Sequence, residues 1–462
     1  MGITRRTLLL GAGSGAVALL LASCTPEPEP TPTRTVSPVP PEPEEIIAPE
    51  PLSMIRSDWS GDPYSRGSLS YLPAGATPHD RELLGAVLEG RVHFAGEAID
   101  AEHPGTVRGA LDSGRRTAFS ALSAGERGER IAVVGAGIAG AVAARTLADG
   151  GAVVTVFEAR ERIGGRLHTV LDEDWPLPVQ LGAWLSSPED AASLIADLGL
   201  PAITQLPFDT AIGQTSEGET EPAGDAVIHA AIEAAADRAS DIPLTEALAE
   251  SGSDLEDPAL AAALAWVETM TGVDATRASS WFAPPIPAMA LTGAQGDVSG
   301  LVEEALSGLD VSLASPVGRL AYDEDGVSLR LATGEALSFD RVIVTVPLGV
   351  LQQQGIEFAP PLPFAQRGAV AALGSGFVES VWLRFEEPFW ATDAAIWQVI
   401  GGDARIRTWL NLAPVTGEAV LVGIVGGPAA AEFAALDEEE ALLAARESLA
   451  FFLPESAAAP LP

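Results

Sequence analysis

The chain predicts an α/β fold, and three observations carry that reading. A short apolar run, Ile131 to Val134, enters Gly135-Ala-Gly137-Ile-Ala-Gly140 and then an Ala-rich stretch with helical spacing, Ala141 to Ala148. A second run, Val153 to Phe157, ends on Glu158, 23 positions after Gly135. Upstream of both, Val92 to Ala95 passes through a Gly96-Glu97 turn into a helical pattern from Gly105 to Ser120. Apolar strands that alternate with helices across glycine turns are the pattern of a parallel, Rossmann-like sheet covered by helices.

Between Ile131 and Arg166 each part has a physical reason. Gly135 permits the tight turn, Gly137 lets a pyrophosphate approach the backbone, and Gly140 lets helix and strand pack closely. The helix N-terminus offers free N–H groups and the positive end of its dipole to phosphates. Glu158 stands where a carboxylate accepts hydrogen bonds from a ribose, and its charge disfavours a 2′-phosphate. A lone GxGxxG is weak evidence in a chain with 47 glycines. With a strand before it, a helix after it and an acid at this distance, it reads as a dinucleotide site. Its place is unusual, because such a unit commonly opens a domain and about 130 residues precede it here.

At 462 residues the chain accommodates two domains, and 47% hydrophobic residues suffice for their cores. All 26 basic residues are Arg, against 64 acidic ones, for a formal charge of −38. This argues against a nucleic-acid partner and suits a cationic or neutral small substrate, although acidity also serves solubility alone. The single cysteine, Cys24, leaves no intrachain disulfide and no Cys-cluster metal site. The five His show no His-x₃-His spacing, so no metal centre is expected.

From the N-terminus, Thr4-Arg5-Arg6-Thr7-Leu8-Leu9 places a twin arginine before a moderately apolar run, Leu8 to Ala22. Leu21-Ala22-Ser23-Cys24 resembles a lipobox, and the run is short and Gly-rich for a membrane span. Residues 1–24 are therefore expected to be a twin-arginine lipoprotein signal. Export would be in the folded state, which suits a protein loaded with its cofactor beforehand, with membrane contact only through a lipid on Cys24. Residues 25–51, rich in Pro, Glu and Thr, are expected to form a disordered tether.

The stretch Arg56 to Ala121 holds WSGDPYSRGSLSY (Trp59 to Tyr71), RVHFAGEAID (Arg91 to Asp100) and HPGTVRGALDSGRRTA (His103 to Ala118). Gly109 and Gly114 are expected to be close-packing points on the helix. Glu97 is either a ligand for a ribityl or ribose hydroxyl or a solvated turn acid. These motifs resemble the C-terminal flavin-binding segment of the flavin-containing amine oxidases, the family of monoamine and polyamine oxidases and related histone demethylases. Ala159-Arg160-Glu-Arg162-Ile-Gly164-Gly165-Arg166 is similar to that family's second flavin motif. The resemblance implies noncovalent FAD, no cysteine being available for a flavin thioether. It also implies contacts from Arg160, Gly164, Gly165 and Arg166, from Gly96 and Glu97, and from Thr106 and Val107 at the helix start.

The resemblance continues. Gly182-Ala183-Trp184 looks like the family's loop near the flavin ring, with Trp184 the best aromatic candidate for the pocket. Val317, in Ser315-Pro316-Val317, falls where the family's valine backbone holds the adenine. Arg341 to Leu351 looks like the strand that re-enters the FAD domain and leaves through a proline. Phe358 to Pro363, Leu383 to Phe385, Glu387 to Trp390, Trp409 to Leu412 and Val422 to Gly427 look like the substrate-domain sheet. The remaining tryptophans are expected mostly in core packing.

Family order would be residues 131–462 followed by 51–121, so a circular permutation is expected, with Ala118 to Arg130 as the new linker. Strand 92–95, helix 105–120 and strand 131–135 are expected to form a crossover unit. The FAD-binding domain would comprise 52–185, with the permuted segment 52–121 and the Rossmann unit 130–185, and would resume at 290–351. A substrate domain of mixed sheet and helices would comprise 186–289, Ala-rich and helical, and 352–462.

Three positions differ from the family's commoner pattern. Where it commonly has a Lys that bridges to flavin N5 through water, this chain has Ser380; Glu379 beside it would face the other way in a strand. Leu69 stands in place of the first aromatic that flanks the amine, and Thr106 in place of the second. The resemblance implies oxidation of an amine or amino acid by hydride transfer to flavin N5, with O₂ as acceptor and Ser380, Leu69, Thr106 and Trp184 around the substrate. A FAD-binding protein that has lost this reaction and a flavin desaturase-like enzyme are the alternatives.

Overall fold

The structure is a computed structural model and describes residues 47–191 and 203–453. The twin-arginine signal, the lipobox with Cys24 and most of the tether lie outside the described residues.

In chain order the elements that build the site begin with β1 (Ser53–Arg56), β2 (Leu69–Tyr71), β3 (Val92–Phe94) and α1 (Val107–Ala124). The Rossmann unit follows as β4 (Arg130–Val134), α2 (Ile138–Asp149) and β5 (Val153–Phe157). Then come α3 (Pro258–Thr271), β6 (Asp310–Ser312), β7 (Val317–Tyr322), β8 (Arg341–Val344), β9 (Val378–Arg384) and β10 (Val420–Gly426).

The first layer is a parallel sheet in the order β6-β5-β4-β8-β3. Every residue of β8 is buried, as is every residue of β4 after Arg130, which is what a parallel strand covered on both faces requires. Helices α1 and α2 cover one face. Their close approach depends on Gly114, where a Cβ would stand 2.3 Å from the Ala139 carbonyl oxygen. Gly109 plays the same part against His103, whose carbonyl oxygen would lie 2.1 Å away. A four-stranded sheet of β7 with 327–331, 336–339 and 357–359 covers the other face, joining Val317, Leu320 and Leu329 to Val92, Ala132 and Val134 in one apolar core.

The crossover from β3 through α1 to β4 is present, but β3 and β4 are not neighbours, because β8 lies between them and pairs with both. Sequence proximity could not reveal a strand that arrives from about 200 residues downstream. Helix α1 also runs further than expected, to Ala124, which shortens the connection to β4. Arg341, buried at the start of β8, pins that connection by donating from Nε to the Glu129 carboxylate (2.8 Å) and from Nη2 to the Ala124 carbonyl (2.7 Å).

The second layer is a seven-stranded sheet, β1-β9-β10 followed by 408–411, 396–399, 211–215 and 218–220. It corrects several expected boundaries. β1 pairs antiparallel with β9, Ser53 opposite Arg384 and Arg56 opposite Val381, so the chain joins this sheet rather than the FAD-binding domain at residue 53. The tether does not extend to Pro51. Ala48 is fully buried, and its N–H donates to the Arg446 carbonyl at 3.1 Å. Strand 357–359 pairs with β7, not with the substrate-domain sheet, and strand 291–295 pairs with 185–186 and 204–208 instead of continuing the FAD-binding domain. The segment expected to be helical after Ser186 also contributes strands 204–208, 211–215 and 218–220. Apart from the local hairpin of 211–215 with 218–220, hydrogen-bond partners in these strands are remote in sequence, and local composition does not encode them.

Candidate active site

At the C-terminal end of β4 the chain turns through Gly135, and only glycine suits this position. Its φ is 111°, and a Cβ on it would stand 2.5 Å from Thr345 Oγ1. Gly140 lies under the Gly135 carbonyl oxygen, 2.0 Å from where a Cβ would be, so helix α2 can pack against the turn only with glycine there. Gly137 caps α2 and differs from both. A Cβ on it would meet nothing closer than 3.9 Å and would project into open space. Gly96, at the end of β3, is alike, with nothing within 4 Å.

That open space is an elongated cavity of about 470 Å³. Ser315, Pro316 and Val317 line it together with Gly137, Glu158 and Arg160, and Gly164, Gly165, Arg166 and Ala183 complete this wall, Gly164 bridging to Gly137. Gly96, Glu97, Thr106 and Val107 form the wall presented by β3 and the start of α1. Thr106 caps α1, its hydroxyl oxygen accepting from Gly109 N–H at 3.0 Å. Two helix N-termini therefore open on one cavity, an arrangement suited to a pyrophosphate. Glu158 accepts from Ala136 N–H (2.8 Å) on one oxygen and from Arg160 N–H (2.9 Å) on the other. A carboxylate has about four acceptor sites, so it can still receive ribose hydroxyls. The glycine cradles and this donor and acceptor set fit FAD.

The Trp59 to Tyr71 segment is fastened to the Rossmann unit by Arg160, named from the sequence as a cofactor contact, and by partners that sequence reasoning missed. Arg160 donates to Asp62 Oδ2 from Nη2 (2.8 Å) and Nε (3.1 Å) and to Ser65 Oγ (2.8 Å), and its guanidinium lies 5.5 Å from the centre of the Tyr64 ring. Trp59 donates from its indole to the Leu181 carbonyl at 2.7 Å, just before the Gly182 loop. Gly182 is packed on Arg166, where a Cβ would stand 1.9 Å from its carbonyl oxygen, and so serves the backbone approach rather than lining the cavity. Gly140 likewise lies behind the cavity wall. The acid in the DPYSR run was the available signal for the Arg160 contact.

The predicted pair on β9 divides as strand alternation requires. Glu379 is fully buried on one face, and its carboxylate accepts from Ser57 Oγ, Trp59 N–H, Ser60 N–H and Ser60 Oγ. Burial pushes its carboxyl above the usual range, although those four hydrogen bonds pull the other way. Ser380 is buried on the opposite face, shared with Val378 and Trp382. Its backbone N–H donates to Ser57 Oγ at 2.8 Å, and its hydroxyl has no hydrogen-bond partner among the described residues.

Three predicted substrate residues do not line the cavity: Ser380, Leu69 and Trp184. Leu69 sits behind Gly105, its Cδ1 3.5 Å from where a Cβ on that glycine would be, and against Gly272 at the end of α3. Trp184 is a core residue, edge-on to Phe208 with ring centres 5.9 Å apart and 5.2 Å from Trp382. Its indole size drives it into the aromatic cluster while its neighbour Ala183 faces the cavity. Trp281 departs from the expected core role, being 40% exposed.

Two further carboxylates stand near this region. Glu97 is buried, not a solvated turn acid. Burial pushes its carboxyl up, but Arg166, the Ser70 hydrogen bond and Arg81 together hold it below the usual range. Glu268, on α3, is pushed up to about 7 by burial and then by Asp274, against the pull of a hydrogen bond from Ala275 N–H.

Comparison with known proteins agrees with this site. The family model described as flavin containing amine oxidoreductase matches residues 35–121 and 236–461, together more than half of the chain, and a model of an NAD(P)-binding Rossmann-like domain matches 133–198. Polyamine oxidase 4 of Oryza sativa subsp. japonica is 29% identical over 362 residues, covering 71% of this chain and 73% of that protein. Lysine-specific histone demethylase 2 of Homo sapiens is 30% identical over 356 residues, covering 68% of this chain and 42% of that protein. Among solved structures, putrescine oxidase bound to putrescine superimposes with a TM-score of 0.57 at 22% identity, over 72% of this chain and 83% of that one. The chain belongs to the flavin containing amine oxidoreductase family and is an amine oxidase-type oxidoreductase whose cofactor is FAD.

Proposed function

We propose that this chain is an exported, lipid-anchored and circularly permuted amine oxidase that takes small cationic amines and passes electrons to O₂. The observation that carries the activity is the single cavity shared by the Rossmann turn, the Gly164-Gly165-Arg166 segment and the start of α1. Polyamine and putrescine oxidases among the similar proteins, with the formal charge of −38, favour a di- or polyamine over a neutral or acidic substrate.

Bound noncovalently, FAD supplies the hydride acceptor. The chain's own residues do the rest. The N-termini of α1 and α2 hold the pyrophosphate, Glu158 takes the adenosine ribose, and Val317 flanks the adenine. Arg160, Gly164, Gly165 and Arg166 hold the middle and ring end. The unpartnered Ser380 hydroxyl can hold a water by hydrogen bonding, without the charge a lysine would bring. Thr106 lines the cavity, and Leu69 stands behind Gly105 as a smaller, non-aromatic side chain in place of the family's aromatic at that position.

Anaerobic addition of diamines, polyamines, monoamines and amino acids to the holoprotein tests this reading. Bleaching of the flavin band by diamines or polyamines is expected, and a panel that leaves the band unchanged overturns it. The Ser380 and Leu69 positions favour a second reading, FAD binding without amine oxidation. In that case Ser380→Lys with Leu69→Tyr would restore bleaching that the unsubstituted protein lacks.

The permutation is supported by the order of the family motifs and by the short, pinned connection from α1 to β4. Export and anchoring rest on the Arg5-Arg6 and Cys24 motifs. Palmitate labelling of cells should mark the protein and should be lost in Cys24→Ser; labelling that persists in the variant overturns the anchor.

A further inference from the structure

One buried carboxylate ties the segments that carry Leu69 and Thr106 to Arg166. Glu97 Oε2 accepts from Ser70 N–H (3.2 Å), from the Ser70 hydroxyl (2.6 Å) and from Gly105 N–H (3.0 Å), while Oε1 pairs with Arg166 Nη1 at 3.0 Å. Arg81 closes the network from behind, Nη1 donating to Ser70 Oγ (2.7 Å) and to the Ala98 carbonyl (2.9 Å). Ser70, Arg81 and Glu97 are all buried. Ser70 follows Leu69 and Gly105 precedes Thr106, so each residue that the family resemblance puts at the amine is one position from a group bound to the same carboxylate.

The segment with Leu69 does not hold itself in place, whereas Thr106 is also held locally, its hydroxyl donating to the His103 carbonyl (2.8 Å) and accepting from Gly109 N–H (3.0 Å). β2 is three residues long and among the described residues pairs only with 374–376, a ladder too short to be stable alone. Gly105 has a φ of 74°, a turn conformation with no regular ladder around it. Arg166 donates a second hydrogen bond to the Ser68 carbonyl at 2.8 Å, so the arginine and the carboxylate grip 68–70 together.

We propose that Glu97 is a positioning residue, holding Leu69 and Thr106 in register with the flavin through Ser70, Gly105 and Arg166. The proposal rests on the reading of this site as an amine oxidase. Its consequence is kinetic, because a reactant held about 1 Å out of place loses on the order of a hundredfold in rate while binding changes little.

Two holoprotein variants separate position from charge. Glu97→Asp keeps the charge but is one methylene too short to reach Arg166 and the Ser70 and Gly105 donors together. Glu97→Gln keeps the reach and leaves Arg166 and Arg81 uncompensated. With FAD bound, Glu97→Asp is expected to retain the wild-type flavin reduction potential and to change the visible circular dichroism of the flavin. Its limiting rate of reduction by amine should fall at least about tenfold, with less than about a threefold change in the half-saturating amine concentration. Glu97→Gln is expected to raise the potential, since uncompensated cations favour the anionic reduced flavin. A Glu97→Asp holoprotein with wild-type limiting rate and wild-type circular dichroism overturns the proposal. If Glu97→Asp does not retain FAD, Ser70→Ala, which leaves the Glu97–Arg166 pair intact, is judged by the same two outcomes. If no amine reduces the wild-type flavin, the functional reading fails, and the circular dichroism of the variant alone decides for or against Glu97.

Discussion

Glu379 and Ser60 are joined twice, the carboxylate accepting from the Ser60 N–H at 2.9 Å and from its hydroxyl at 2.8 Å, across 319 positions of sequence. The same carboxylate takes Ser57 and the Trp59 N–H, so one side chain of β9 organises the loop that leads into the flavin motif. Replacing it orphans buried donors. Glu379→Ala is expected to destabilise the protein by about 3 kcal/mol and to weaken FAD retention. Chemical denaturation with and without added FAD measures both.

Asp62 neutralises Arg160 and fixes the loop over it. Asp62→Ala is expected to free the guanidinium, loosen 62–66 and reduce FAD affinity by about tenfold, the equivalent of one lost charge-assisted hydrogen bond. Flavin fluorescence quenching on titrating apoprotein with FAD gives the number, and unchanged affinity would remove Asp62 from the cofactor's support.

Gly96 and Gly137 differ from the other motif glycines in having open space where a Cβ would go, and that space is the cavity. Gly137→Ala is expected to fold with near-native stability and to lose FAD binding. Gly140→Ala, which would place a methyl 2.0 Å from the Gly135 carbonyl oxygen, is expected to lose stability as well. Thermal unfolding of the two apoproteins distinguishes the cases.

His93 and Glu268 give opposite pH signatures. Burial, then Arg341, pushes His93 down to about 4. The unfolded chain therefore binds the extra proton first, and stability falls as pH drops from about 6.5 to 4. Glu268, pushed up to about 7, keeps its proton in the folded state longer than in the unfolded one, and stability falls as pH rises from about 4.5 to 7. Each is worth on the order of 3 kcal/mol across its window. His93→Phe should flatten the acid limb only, and Glu268→Gln only the limb that falls as pH rises through Glu268's window, in urea denaturation run at a series of pH values.

The cofactor half of the site was legible in the sequence. The glycines at 135, 137 and 140, the acid at 158 and the strand and helix periods around them are local features, governed by turn geometry and by side chains a few residues apart. β5 runs from Val153 to Phe157, as its pattern predicts, and β4 begins one residue early. The family motifs at 59–71, 96–107 and 160–166 extended that reading to FAD, and all three segments meet on one cavity.

What only the tertiary structure decided is which distant group each of those residues meets. Nothing near Glu97 in sequence says that Arg166 and Ser70 will share its carboxylate, or that Arg81 will stand behind them. Nothing near Trp184 says that Phe208 and Trp382 will enclose it while Ala183 takes the cavity. The insertion of β8 between β3 and β4 and the capture of the Ser57 to Ser60 loop by Glu379 are of the same kind. Helix periods and glycine turns follow from short-range sterics and are written locally. Hydrogen-bond partners of buried polar groups depend on where remote segments cross, and only the folded path fixes those crossings.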